Sequence, residues 1–204
     1  MYASVLTLMV GCALGETMQS EQDGWTRGGS SPGIADARRL VHASLWGSMS
    51  TISSNAATAG FPFSNIVSFA DGTDGAGTGI PYMFVSPLDE SITDLLKDPR
   101  ISLSLTAAQL GNQSNTDCAI AAGGDPESPP CTRLTLTGRF VNITGTAEAK
   151  VAEAGLYSRH PLMKEWATLG DFFFAKIDLA QVWLIDHYGG AARIPVQDYL
   201  DFKE

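Results

Sequence analysis

Apolar and polar residues alternate through Arg100-Ile-Ser-Leu-Ser-Leu-Thr106, the period-two signature of a strand with one buried face. Strand-like runs also cover 45–53, 63–70, 80–86, 132–143, 172–178 and 182–187. Helical patterning is sparser: 36–43, a segment opening at Ser91 and stopped before Pro99, and 147–157 with a continuation over 161–169. In the second, Ser91 and Asp94 read as a capping-box-like pair, with Ile92, Leu95 and Leu96 on one face. Helices do not regularly separate the strands. The pattern therefore predicts a mainly β (α+β) fold with peripheral helices, a six- to seven-stranded antiparallel barrel, closed or split, rather than a doubly wound sheet. Residues 36–204 contain no linker, repeat or shift of composition and read as one domain.

The N-terminus breaks this pattern. Residues 2–14 are uncharged and mostly apolar and end in Ala13-Leu14-Gly15, which predicts a secretory signal over 1–15; a buried N-terminal helix is the alternative. Residues 16–35 are polar and rich in Gly and Ser, too poor in apolar surface to order themselves, and read as a flexible linker. Removing the leader removes Cys12 and leaves Cys118 and Cys131, which predicts a disulfide across the Ala-, Gly- and Pro-rich loop between them. Two free thiols in a cytosolic loop are the alternative. Two sequons, Asn112-Gln-Ser and Asn142-Ile-Thr, point to the same compartment, so the expectation is a secreted or endolysosomal glycoprotein.

Charge narrows the function classes. The 204 residues carry 13 Lys and Arg against 22 Asp and Glu, a net charge of −9, which argues against binding nucleic acid or anionic lipid. No apolar run reaches the roughly 20 residues of a membrane span.

Candidate chemistry is thin. The segment Asp71-Gly-Thr-Asp-Gly-Ala-Gly-Thr-Gly79 lacks the Gly-Lys-Ser/Thr of a phosphate loop and runs into a strand instead of a helix. It reads as a hairpin connection able to shape a pocket or an interface. His42, His160 and His187 are too scattered for a metal pair, and no Ser occupies a nucleophile elbow, so neither a metal site nor a catalytic residue is expected.

Ten motifs stand in a set order along the chain. They begin with Ala37-Arg-Arg-Leu-Val-His42, Trp46-Gly-Ser-Met-Ser-Thr-Ile-Ser53 and Gly60-Phe-Pro-Phe63. Asp71-Gly72, Gly79-Ile-Pro-Tyr82, Ser86-Pro-Leu88 and Asp125-Pro-Glu-Ser-Pro129 follow, then Arg159-His-Pro161, Phe173-Phe-Ala-Lys176 and Tyr188-Gly-Gly190. Together, in this order, they resemble the CREG family, the cellular repressors named for opposing viral early-gene activation. The resemblance implies an FMN-binding split-barrel fold like that of pyridoxamine-phosphate oxidases, a homodimer, N-glycosylation, secretion or lysosomal delivery, and loss of enzyme activity. A growth or differentiation role through a cell-surface or sorting receptor would be borrowed from the family. Exposed aromatics such as Trp183 and Tyr188 near sheet edges would favour the dimer.

The resemblance also locates the flavin question. Oxidases of this fold hold the dianionic FMN phosphate with Arg and Lys on early strands, whereas here no Lys or Arg occurs from Leu40 through Leu96. Where those oxidases carry an Arg-Lys pair after the third strand, this chain reads Leu88-Asp89-Glu90-Ser91, and carboxylates there repel a phosphate. The expectation is a chain without cofactor. The alternative is an FMN-dependent oxidoreductase, or a haem-dependent one, with Arg38, Arg39, Ser50, Thr51 and Ser86 as the residues left to hold a flavin. A plastid regulator of the same fold is a weaker third, since the N-terminus lacks the Arg of a transit peptide.

Overall fold

The computed structural model describes residues 33–111 and 117–203. The predicted leader, nearly all of the predicted linker, and Asn112 lie outside the described residues. One antiparallel sheet organises the rest. Its strands are β1 (Trp46–Ile52), β2 (Pro62–Ser68), β3 (Tyr82–Val85), β4 (Arg100–Thr106), β5 (Arg133–Asn142), β6 (Phe173–Ile185) and β7 (Ala192–Ile194). They follow the order β2-β1-β4-β5-β6-β3, with β7 added on β6. The sheet curls until its edges, β2 and β3, approach each other. They are joined by a single bridge just beyond β2, Ala70 to Tyr82, where the two residues exchange main-chain hydrogen bonds at 3.1 and 2.8 Å. The seam is otherwise unpaired, so the barrel is split between β2 and β3.

Burial explains the strands. Along β4 the apolar Ile101, Leu103 and Leu105 face the barrel interior, opposite Leu134 and Leu136 of β5. The run 82–85 shows no alternation because both of its faces are covered. Met83 and Val85 enter the barrel core, while Tyr82 and Phe84 pack under α3 (Ala147–Arg159) in a second core with Leu156 and Met163.

Several boundaries differ from the sequence expectation. Helix α1 (Ile34–Ala43) starts two residues early, since Gly33 caps it in a left-handed conformation (φ 95°) and Ile34 is buried. The runs 172–178 and 182–187 are one strand, β6. A bulge opposite Thr137 and Gly138 shifts its register and interrupts the sequence period. In α2 (Glu90–Lys97) the cap is Asp89, whose side chain accepts from the Ser91 amide, not a Ser91–Asp94 box. Ser91 and Asp94 are both buried, and Leu96 is 57% exposed, off the face shared by Ile92 and Leu95. The continuation at 161–169 shortens to α4 (Met163–Trp166), and β7 and α5 (Val196–Asp201) had no readable period. Among the described residues no helix is long and apolar enough to cross a membrane.

Candidate functional site

Two clefts of about 420 Å³ each carry the polar groups of interest. The first opens along the unpaired β2–β3 seam. Phe84 reaches it from β3, and Ser86 and Asp89 come from the turn that leads into α2. The α4 segment supplies Trp166, and Phe172 precedes β6. The rings form a continuous wall. Phe84 stacks on Phe172 with centroids 5.1 Å apart, and Trp166 lies 5.8 Å from Phe172. Asp89 is the one charged residue among the described residues that line this cleft. Its Oδ1 accepts from the Ser91 amide at 2.8 Å, and both its oxygens receive the Asn65 amide at 3.3 Å.

The second cleft lies where the Gly-rich connection folds against α1 and the C-terminal segment. His42 and the fully buried Asp71 are paired, Nδ1 to Oδ1, at 2.7 Å. Asp71 also accepts from the Gly79 amide at 3.1 Å, and the Gly75 amide donates to His42 Nε2 at 3.4 Å. Gly77 is required here, because a Cβ would stand 2.6 Å from Asp71 Oδ2 and 2.7 Å from His42 Nδ1. The Arg38 guanidinium donates to Gly77 O at 2.7 Å and Tyr199 O at 3.0 Å. The Tyr199 hydroxyl donates to Gly79 O at 2.9 Å, and burial holds its phenol well above the ordinary range. The Gly-rich segment thus shapes a pocket, held by a helix and by the chain's own C-terminal end.

A third polar group supports the strands. Lys176 donates to both oxygens of Glu148 at 2.9 and 2.7 Å, and the Tyr82 hydroxyl donates to the same carboxylate at 3.1 Å. Burial, opposed by a hydrogen bond with Thr78 and reinforced by Glu148, pushes the Tyr82 phenol up to about 12. It stays protonated, a hydrogen-bond donor to Glu148, throughout the physiological range.

The five residues considered for flavin do not converge. Arg38 is buried in the second cleft, whereas Arg39 is exposed on α1 and paired with Asp36 at 2.8 Å. On β1, neighbouring side chains take opposite faces: Ser50 meets Ser64 of β2 at 2.9 Å, and Thr51 turns inward to donate to Asp94 at 3.0 Å. Ser86 alone lines the β2–β3 cleft, where its hydroxyl accepts from the Leu88 amide at 3.3 Å. With Asp89 in its lining and no cation there among the described residues, this cleft does not fit the phosphate of a flavin mononucleotide.

Other sequence-predicted residues are placed as follows. Cys118 and Cys131 form a disulfide, 2.08 Å between sulfurs. Asn142 is exposed at the end of β5, where it accepts from the Thr144 amide at 2.9 Å. Trp183 is no edge residue, since β6 is flanked there by Thr135 of β5 and Arg193 of β7; Tyr188, beyond the strand, is 71% exposed. His160 Nε2 donates to the Phe69 carbonyl oxygen at 2.9 Å, far from the His42 pair in the chain. Among the described residues no group of three metal-ligating side chains comes together.

A model of the CREG β-barrel family matches residues 32–201. The chain belongs to the CREG family. It is 37% identical to Protein CREG1 of Homo sapiens over 163 residues, 80% of this chain and 71% of that protein. It is also similar to the non-canonical heme oxygenase HOZ, chloroplastic, of Arabidopsis thaliana, 29% identical over 145 residues, 71% of this chain and 37% of that protein. Among solved structures, a heme binding protein from Mycobacterium smegmatis superposes with a TM-score of 0.63 at 20% identity, covering 83% of this chain and 60% of that one. A pyridoxinephosphate oxidase family protein from Clostridium acetobutylicum gives 0.53 at 11% identity, covering 82% and 96%. Both structures share the split-barrel fold.

Proposed function

We infer that this CREG-family chain is a secreted or endolysosomal glycoprotein without enzymatic activity, acting as a homodimer through protein partners such as a cell-surface or sorting receptor. The observation that carries the reading is the β2–β3 cleft, which presents a carboxylate and an aromatic wall and, among the described residues, has no cation in its lining. A phosphate dianion brought beside Asp89 meets repulsion and gains no charge-assisted hydrogen bond in return. The apolar N-terminal run, the Cys118–Cys131 bridge and the exposed sequon at Asn142 support the compartment.

The test is an absorption spectrum, near-ultraviolet to visible, of protein collected from the medium of a secreting host, before and after loading with flavin mononucleotide and desalting. The expected spectrum is free of a flavin band, and glycosidase treatment lowers the mass of the protein. A retained flavin band sinks the non-enzymatic reading.

A haem- or flavin-dependent oxidoreductase is the second reading, favoured by the similarity to the Arabidopsis heme oxygenase. Titration with haemin separates the two. A stoichiometric Soret shift supports the oxidoreductase, whereas additive spectra support the first reading.

A further inference from the structure

We propose that the β2–β3 cleft is a binding site for a small aromatic molecule carrying a protonated amine. Its volume of about 420 Å³ suits a ligand of one or two rings. Phe84, Phe172 and Trp166, packed on one another, give such a ring an apolar aromatic wall.

Asp89 supplies the complementary charge, and its position is fixed. The Ser91 amide and the Asn65 side chain hold the carboxylate, so it needs little reordering to receive a ligand. Among the described residues Oδ2 receives only the long Asn65 contact of 3.3 Å, which leaves acceptor capacity for an ammonium. Ser86, on the same turn, adds a hydroxyl beside the rings. An apolar wall with one oriented carboxylate selects an amine over a carboxylate or phosphate of equal size. The site shares with the functional reading above the absence of a phosphate seat, but it does not depend on any protein partner.

Calorimetric titration of the glycosylated, disulfide-intact protein with three probes of one ring system tests the site: tryptamine, 3-methylindole and indole-3-acetate. Tryptamine is expected to bind about five-fold or more tightly than indole-3-acetate, with 3-methylindole between them. The preference for tryptamine over 3-methylindole weakens as salt is raised, a readout on the unmodified protein. Asp89→Asn keeps a good helix cap and is expected to abolish the preference while 3-methylindole affinity stays unchanged. Phe172→Leu is expected to weaken tryptamine and 3-methylindole alike. Equal affinity for the three probes, a preference for indole-3-acetate, or no heat at millimolar tryptamine overturns the proposal. A flavin-free spectrum without tryptamine binding sinks this proposal alone, and a flavin band with selective tryptamine binding sinks only the functional reading.

Discussion

Arg38 of α1 donates to the main-chain carbonyl of Tyr199 at 3.0 Å and lies 5.5 Å over the ring of the same residue. With Gly77 O as its other close acceptor, the guanidinium ties the Gly-rich connection to the C-terminal helix. A side chain that offered itself as a phosphate ligand in the sequence is thereby engaged with the protein's own carbonyls.

Arg38→Met should be destabilising without touching the β2–β3 cleft. Two carbonyls lose a charged donor in a buried setting, a loss of about 3 kcal/mol, and the melting temperature is expected to fall by about 6 to 12 °C. Circular dichroism melts check this. A shift of a degree or less means that Arg38 does not hold the C-terminal segment.

Gly138→Ala should be costlier than its size suggests. The residue faces the β6 bulge, and a Cβ there would stand 2.0 Å from the Asp178 carbonyl oxygen, so main chain has to move. About 3 kcal/mol of stability is expected to go, against about 1 kcal/mol for Gly145→Ala, where a Cβ meets open space and only the left-handed conformation is strained. Chemical denaturation of the two variants gives the comparison.

These same residues show what a linear reading reaches. The alternation in β4 marked its bounds because one face of the strand is buried and the other is not. Strand β3 gave no alternation because both faces are covered, and β6 was split in two because its bulge resets the period. The acidic turn at Asp89 and its missing cations were legible, since they are local. The aromatic wall was not, because Phe84, Trp166 and Phe172 come from separated segments and meet only when α3 and α4 fold over β3. The His42–Asp71 pair joins a helix to a loop and has no spacing that a motif could record.

Reducing the Cys118–Cys131 bridge should loosen the domain. The closed loop has a sequence separation of 13, for which chain entropy gives about 3 kcal/mol. A Cys118→Ser, Cys131→Ser double variant is expected to lose about that much unfolding free energy, read as a lower denaturation midpoint at a given m-value, and to be insensitive to reductant. An unchanged midpoint means that the bridge contributes nothing to the folded domain.

Asp94 should make stability depend on acid. Its side chain is buried, and burial alone pushes a carboxyl up, but the Ser54 amide at 2.6 Å and the Thr51 hydroxyl at 3.0 Å both donate to it and hold it below the ordinary range. A carboxylate whose folded value is depressed contributes stability that is present above its unfolded value, about 3.9, and is lost as pH falls through the lower folded value. The contribution therefore survives in a mildly acidic compartment and disappears only in strong acid. Asp94→Asn leaves an amide NH₂ facing a donor, for an expected loss of about 2 kcal/mol at neutral pH. Urea denaturation of both proteins from neutral pH into strong acid should show the gap holding steady to about pH 4 and closing below it. A gap independent of pH means that the Asp94 charge does not contribute.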